Sequence, residues 1–190
     1  MENLNQDKIL NVAEKRMIKF GYRKVTMDEI SGDLRMSKNT IYKEFKSKIE
    51  IAESLLNRLK NKINTYQLEV EKNCDDPLEI LSKNTFYLQK ELAPWFEHFL
   101  KDIQFELPQL WQNFVNYRTE KILEIENLIK KGIKKKEFRK VNPTLAARAY
   151  LGAINSIISP EVLEQEGVSF KSALESVMDI WSKGILYRDN

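Results

Sequence analysis

Residues 36–50, MSKNTIYKEFKSKIE, concentrate hydrogen-bond donors in a short stretch of sequence. Four lysines, one asparagine and several hydroxyl groups lie there beside enough aliphatic and aromatic residues to fold. Ammonium, amide and hydroxyl groups are the donors that phosphate oxygens and the edges of nucleobases accept. The chemistry they offer is the binding of a polyanion, provided that the fold turns them to one side.

The net charge of +3 is unevenly distributed along the 190 residues. Residues 1–48 hold 11 Lys and Arg against 7 Asp and Glu, whereas residues 49–190 hold 20 against 21. This asymmetry favours a polyanionic partner for the N-terminal quarter. A second basic run at 130–140 ends a predicted helix, where cations complement the helix dipole, so we assign it no nucleic-acid role.

The residue types that most enzymes need are scarce. The single histidine, His98, and the single cysteine, Cys74, fall in different predicted helices. The sequence shows no glycine-rich phosphate loop, carboxylate dyad or metal-ligand spacing, so it predicts no enzyme, no cofactor and no metal. It also lacks a signal-peptide pattern and a run of about 20 apolar residues, which predicts a cytoplasmic protein without a membrane partner.

Apolar residues recur at helical spacing along the chain, and this predicts an all-α fold. Capping boxes at Thr26 with Glu29 and at Ser47 with Glu50 mark two helix starts. Gly21 is expected to end the first helix in a left-handed conformation. The expected helices are about 6–20, 26–34, a short one capped by Ser37, one long helix over 47–70, and 77–93, 94–105, 108–136, 143–158 and 169–187, with a short turn of helix near 159–167.

Residues 26–48 have the spacing of a helix-turn-helix, because the turn LRMS joins two short helices. In that geometry the first turn of the second helix faces base edges in the major groove. The start of the following long helix offers unpaired N–H groups and a positive dipole end to phosphate. The predicted DNA-binding residues are Thr26, Lys38, Asn39, Thr40, Tyr42, Lys43, Lys46 and Lys48.

This stretch resembles the DNA-binding domain of the TetR family of transcriptional regulators over about 50 residues. The matching features are Phe20-Gly21-Tyr22, Thr26 with Ile30, Met36-Ser37, Thr40-Ile41-Tyr42, Phe45 and Ser47-Lys48. The resemblance implies a homodimer whose two recognition helices enter successive major grooves of a near-palindromic operator. It also implies a C-terminal domain that binds a small-molecule effector and releases the DNA, which is the action of a repressor.

Three positions depart from the family pattern. Arg35 stands where the family usually has glycine in the turn, so we expect a left-handed arginine at a cost of about 1 kcal/mol. Glu44 replaces a common histidine or aromatic residue, and we favour its pairing with a lysine over the reading of a cytosine. Asn39 replaces a common small residue and is the best candidate for sequence-specific reading.

Residues 85–117 contain nine of the nineteen aromatic residues, a density that fits either a core or a ligand cavity. The resemblance favours a cavity for a mainly apolar ligand, with a few polar anchors. The predicted lining residues are Phe86, Trp95, Phe96, Phe99, Trp111, Phe114, Tyr117 and Asn113. A regulator with a filled core and no effector remains an alternative.

The last two helices have apolar or small residues on two faces, which suggests burial against both the protomer and a partner. A four-helix contact about a two-fold axis would match a palindromic site. The predicted dimer interface is Ala149, Gly152, Ala153, Ser156, Val177, Ile180, Trp181 and Gly184. Packing of both faces within one chain is the alternative.

The sequence therefore predicts two domains joined by a long helix. Residues 1–48 form a three-helix DNA-binding domain of the helix-turn-helix type, and residues 49–190 form a larger helical domain for ligand binding and dimerisation. The predicted partners are a double-stranded DNA operator, a second copy of the chain and a small-molecule effector. A helical protein-interaction module that does not touch DNA is the competing class.

Overall fold

A computed structural model describes residues 4–157 and 159–186 of the chain. Within these residues the fold is all-α, as predicted, and holds one isolated β-bridge but no strand. The helices are α1 (Leu4–Phe20), α2 (Met27–Leu34), α3 (Lys38–Glu44), α4 (Lys48–Asn73), α5 (Pro77–Trp95), α6 (Lys101–Glu106), α7 (Pro108–Glu120), α8 (Ile122–Lys134), α9 (Pro143–Ile157), α10 (Pro160–Glu166) and α11 (Phe170–Ile185). No helix among the described residues has both the length and the apolarity to cross a bilayer.

Local capping chemistry accounts for most helix boundaries. Helix α1 ends before Gly21, which has φ 86° and donates its N–H to the carbonyl of Met17. The Asp76 carboxylate accepts two N–H groups in the first turn of α5, at 2.8 and 3.0 Å. The Asn142 side chain accepts the N–H of Leu145 at the start of α9. The left-handed Gly21 is the helix end that the sequence predicts.

Two boundaries differ from the prediction. Pro94 does not start a helix but lies inside α5, which leads into a π-helical segment, Phe96–Leu100, and then into α6. Proline removes one donor from the helical ladder, and a π-helical turn is a common adjustment to such a disruption. The predicted helix 108–136 is divided at Lys121 into α7 and α8. The predicted ends at residues 158 and 187 lie outside the described residues.

The chain divides into two compact units. The first comprises Met1–Lys62 with Pro94–Gln112, so it extends beyond the predicted boundary at residue 48. In this unit α1 packs against α2, α3 and the π-helical segment. Its core includes side chains that are at most 5% exposed: Ile9, Ala13, Met17, Ile30, Ile41, Phe45, Phe96 and Phe99.

The second unit comprises Ile63–Ala93 with Asn113–Asn190. Helix α9 packs against α8, α10 and α11 there. The fully buried Phe138 ring lies against Gly132 of α8 so closely that a Cβ at that glycine would collide with it. Helices α4, α5 and α7 contribute residues to both units.

Candidate functional site

The turn between α2 and α3 is built without glycine. Arg35 adopts the left-handed conformation predicted from the sequence, with φ 53° and ψ 34°, and donates its N–H to the carbonyl of Gly32 at 3.1 Å. The N–H of Met36 reaches the carbonyl of Ser31 at 3.1 Å, which satisfies the end of α2. Ser37 then caps α3 by accepting the N–H of Thr40 at 3.1 Å.

Helix α3 has one buried side and one exposed side. Ile41 and Phe45 are buried in the core of the first unit. The opposite side exposes the side chains of Lys38, Asn39, Tyr42, Lys43 and, just beyond the helix, Lys46. The structure thus brings five of the eight predicted DNA-binding residues onto an exposed surface around α3, which we call the α3 face.

Lys38 and Thr40 already have partners on this surface. The ammonium group of Lys38 lies 2.6 Å from a carboxylate oxygen of Asp28, and both side chains are more than half exposed. An exposed ion pair of this kind contributes about 0–1 kcal/mol, so phosphate or a base can replace the carboxylate at little cost. The half-buried Thr40 shares a hydrogen bond of 2.8 Å with the hydroxyl of Ser37.

Thr26 is occupied by its capping box. Its side-chain oxygen accepts the N–H of Glu29, while the Glu29 carboxylate accepts the backbone N–H and hydroxyl of Thr26 at 2.8 and 3.0 Å. These hydrogen bonds lower the pKa of Glu29. A carboxylate therefore already occupies the start of α2, where the sequence predicted a phosphate contact.

Lys48 does not lie on the α3 face. Its half-buried ammonium group donates to the carbonyls of Tyr22 and Val25, each at 2.9 Å, and lies 4.1 Å from the centre of the Tyr22 ring. Burial lowers the pKa of Lys48, although Asp102 and Glu106 oppose that effect. The structure gives Lys48 a role in fixing the α1–α2 connection, which no local sequence signal shows.

The start of α4 is closed by Glu50. Its carboxylate accepts the N–H of Lys46 at 2.6 Å, and its own N–H donates to the hydroxyl of Ser47 at 3.2 Å. This differs from the predicted capping box, since the carboxylate reaches one residue further back. The exposed ammonium group of Lys46 remains available to phosphate there, while the backbone donor is already used.

The second unit contains a mainly apolar cavity of about 80 Å³. Its apolar lining includes Ile63, Leu81, Leu88, Ile125, Leu151 and Ile154. Among its polar lining residues are Gln67, Asn84, Thr85, Tyr117, Arg118, Tyr150 and Asn155. The cavity thus has the composition expected of a small-molecule site, with apolar walls and a few polar groups.

The predicted pocket residues are mostly elsewhere. Tyr117 lines the cavity, and its hydroxyl donates to Asn64 at 2.7 Å. The other predicted members fall into separate environments rather than around this cavity. Trp95, Phe96 and Phe99 are buried in the first unit, Trp111 is half-buried there, Phe114 is buried in the second unit, and Phe86 and Asn113 are exposed in the second unit.

The amino-acid sequence contains a signal for the polar lining of the cavity. Each of three amide side chains follows a buried apolar residue by four positions, so it continues a core-facing helical stripe. The pairs are Ile63 with Gln67, Ile80 with Asn84, and Leu151 with Asn155. A polar residue on such a stripe predicts a polar group inside the fold.

The predicted interface residues divide between two sides of α9 and α11. Ala149, Gly152 and Ser156 on α9, and Ile180 and Gly184 on α11, are exposed, and Ala153 is half-buried. Val177 is buried within the protomer. Trp181 donates its indole N–H to the carbonyl of Ala146 at 3.2 Å and packs against the rings of Tyr150 and Phe138.

Two helices joined by a tight left-handed turn, with lysine, asparagine and tyrosine exposed along the second, define a DNA-binding protein of the helix-turn-helix class. Residues 9–55 match the family model described as bacterial regulatory proteins, tetR family. Residues 9–55 thus form a DNA-binding domain of the TetR type, and the transcriptional regulators of that family are DNA-binding proteins and not enzymes.

Three relatives extend the likeness beyond the matched region. The helix-turn-helix-type transcriptional regulator YvaF of Bacillus subtilis (strain 168) is 22% identical over 94% of this chain and 95% of its own length. A transcriptional regulator from Cytophaga hutchinsonii ATCC 33406 has a TM-score of 0.80 at 19% identity, covering 97% of this chain and 100% of its own. A regulator of the TetR/AcrR family from Thermobifida fusca YX-ER1 has a TM-score of 0.74 at 21% identity, covering 98% and 100%. The solved structures show the shared fold.

Proposed function

We propose that the protein is a homodimeric repressor that binds a palindromic operator and is released from it by a small, mainly apolar ligand. The observation that carries the proposal is the α3 face, where Lys38, Asn39, Tyr42 and Lys43 are exposed beside a rigid turn. Ammonium, amide and phenol groups along one helix supply both base-edge and phosphate contacts.

Roles on the α3 face follow from position and chemistry. Lys38 and Asn39, in the first turn of α3, are assigned to base edges, where Asn can pair with adenine through two hydrogen bonds. Thr40 is assigned a base or methyl contact beside them. Tyr42, Lys43 and Lys46 are assigned to phosphates, and Thr26 and Lys48 support the scaffold rather than the DNA.

The exposed side of α9 and α11 supports the assignment of the dimer interface. Among the described residues, no atom outside the local backbone lies within 4 Å of the position that a Cβ would take at Gly152 or Gly184, so a partner helix can approach closely. Ile180 is 73% exposed on the same side of α11 as Gly184. A self-complementary contact of these helices gives the two-fold symmetry that a palindromic operator requires.

We assign the release of the DNA to a ligand-induced shift in the population of protein conformations. A ligand in the cavity favours a conformation in which the two α3 helices no longer match grooves about 34 Å apart. Helices α4, α5 and α7 contribute to both units, so a change at the cavity can reach the first unit through continuous backbone. A regulator without an effector would show no such release.

Fluorescence anisotropy with labelled DNA from upstream of the protein's own gene tests the proposal. We expect binding to weaken steeply between two salt concentrations, because each neutralised phosphate releases about one counterion. The double variant Lys38→Ala with Tyr42→Ala should lose roughly 100-fold in affinity, since each base or phosphate contact is worth about 1–3 kcal/mol. The matched control Lys171→Ala, an exposed lysine of α11, should bind as the unaltered chain does.

Two single variants separate base reading from phosphate binding. Asn39→Ala should reduce discrimination between operator and unrelated DNA, whereas Lys43→Ala should weaken both equally and lower the salt slope by about one. Salt-independent binding, or a double variant that binds normally, would rule out the α3 face as the DNA-reading surface.

A further inference from the structure

The cavity of the second unit has polar groups that its own fold leaves without hydrogen bonds. The side-chain oxygens of Gln67, Asn84 and Asn155 are buried and have no hydrogen-bond partner among the described residues. All three residues line the same cavity. Each buried acceptor without a donor costs about 1–3 kcal/mol. A fold retains such a group only where another interaction offsets that cost.

Ligand donors can reach these oxygens. The terminal torsion of Asn and Gln is soft, so each amide can turn toward a group that enters the cavity. The neighbouring hydroxyls are already used, since those of Thr85 and Tyr150 share a hydrogen bond of 2.5 Å. The three amides are therefore the acceptors that a hydroxyl-bearing ligand would engage.

The charges around the cavity favour an anion. Arg118 lines it with only 9% of its surface exposed, and burial lowers the pKa of this guanidinium to about 10. Of the lining carboxylates, Glu71 and Glu124 are exposed, and Glu124 is bound by Lys121 at 2.9 and 3.0 Å. Among the charged lining residues, the buried one is thus positive, and its guanidinium can donate to a ligand carboxylate.

The cavity volume limits the ligand to a short molecule. About 80 Å³ exceeds what one water molecule needs but is well below the roughly 300–1,000 Å³ of sites for drug-sized ligands. The apolar walls favour an aliphatic body over a fully polar one. A chain of about four carbons with one charged end is therefore a suitable size, given the ceiling on affinity per atom.

We infer that this cavity binds a short-chain hydroxy acid, with its carboxylate toward Arg118 and its hydroxyl among the amides of Gln67, Asn84 and Asn155, where it donates its one proton to the side-chain oxygen of Asn84 or Asn155. The inference rests on the proposed function, since it names the chemical class of the effector, and it replaces a mainly apolar ligand with one that has a short aliphatic body and two polar groups. The three amides thus select a hydroxylated ligand over a plain fatty acid.

Calorimetric titration with three matched probes tests the inference on the full chain. 3-Hydroxybutyrate has both groups, butyrate lacks the hydroxyl, and 1,3-butanediol lacks the carboxylate. We expect 3-hydroxybutyrate to bind at least tenfold more tightly than either control, because each lost polar contact to a buried partner costs about 1.4 kcal/mol or more.

Variants locate the binding. Asn84→Leu combined with Asn155→Leu should reduce 3-hydroxybutyrate affinity at least tenfold while leaving butyrate affinity unchanged. The same change should not lower the melting temperature of the free protein, because it removes buried acceptors without donors. Arg118→Met should abolish the preference for 3-hydroxybutyrate over the diol, and Arg118→Lys should restore part of it if the former folds poorly. Asn127→Leu, an exposed amide outside this cavity, is the control.

The outcomes separate the inference from the proposed function. If the diol or butyrate binds as tightly as 3-hydroxybutyrate, the effector cavity stands and the hydroxy-acid class is wrong. If none of the three probes binds, the inference is overturned. The anisotropy measurement of operator binding still tests DNA binding independently. The amide variants could instead lose stability and bind all three probes as the unaltered chain does. That result would mean that the amides bind buried water, and it would also overturn the inference.

Discussion

The α3 face and the cavity treat their polar groups in opposite ways. Around α2, α3 and the start of α4, side-chain acceptors and backbone donors are paired, as in the capping box of Thr26 with Glu29 and the closure of α4 by Glu50. In the cavity, by contrast, the oxygens of Gln67, Asn84 and Asn155 have no partner among the described residues.

The difference fits the two kinds of binding that we propose. A surface that reads DNA must hold its donors at fixed positions before the duplex arrives, so internal hydrogen bonds that rigidify its scaffold are useful. A cavity that responds to a ligand instead needs groups whose bonding is incomplete until the ligand enters, because a ligand shifts an equilibrium only by its differential affinity for the two states.

Replacing Lys48 by methionine is the strongest test of the claim that the polar groups around α2, α3 and the start of α4 are paired. Methionine keeps an unbranched apolar side chain of similar length but leaves the carbonyls of Tyr22 and Val25 without the ammonium donor. We expect a loss of about 2–4 kcal/mol in the free energy of unfolding, measured by urea denaturation, since two buried acceptors lose their donor.

Lys46→Met provides the matched control, because this lysine is two residues away and exposed. Its effect on the free energy of unfolding should stay within about 0.5 kcal/mol. Equal effects of the two substitutions would mean that the Lys48 ammonium group is not part of the scaffold, and the contrast with the cavity would disappear.

Tyr150→Phe tests whether the cavity wall is dry. Tyr150 is 4% exposed, and burial raises the pKa of its phenol from 10.0 to about 12. The unfolded chain therefore loses this proton first, so the stabilising contribution is complete below pH 10 and is lost as the pH rises toward 12. Between pH 10 and pH 11 we expect the unaltered chain to lose on the order of 1 kcal/mol more stability than Tyr150→Phe.

Urea midpoints at pH 8, 10 and 11 measure this difference. The other tyrosines titrate in both proteins, so their contribution cancels in the comparison. Parallel profiles for the two proteins would show that water reaches the phenol, and would weaken the interpretation of the cavity as a place where unpaired oxygens are costly.

Local chemistry explains why so much of the first unit could be predicted. Gly21, the Thr26 capping box and the left-handed Arg35 each depend on residues within a few positions, and the structure confirms all three. The role of Lys48 could not be predicted in the same way. Its partners lie 26 and 23 residues earlier in the sequence, and only the packed position of the α1–α2 connection brings them within reach.

The cavity could not be predicted from its aromatic neighbourhood for a similar reason. Trp95 and Phe99 pack edge to face, with ring centres 5.1 Å apart, in the first unit. Pro94 continues α5 into the π-helical segment, which changes the side that the following residues present. The high density of aromatic residues therefore indicated burial. The amide residues that continue apolar, core-facing helical stripes indicated the cavity.

Gly152→Ala tests the exposed side of α9 with the smallest expected effect. In a lone protomer the added methyl meets open space, and replacing glycine within a helix should raise the free energy of unfolding by up to about 1 kcal/mol. In a dimer that packs α9 closely against a partner helix, the same methyl holds the helices apart, so sedimentation should show a higher dimer dissociation constant. Gly32→Ala, also in a helix with open space around it, is the matched control and should stabilise without altering dimerisation. If both variants stabilise equally and dimerise as the unaltered chain does, the dimer forms through another surface, and the small residues of α9 serve no interface.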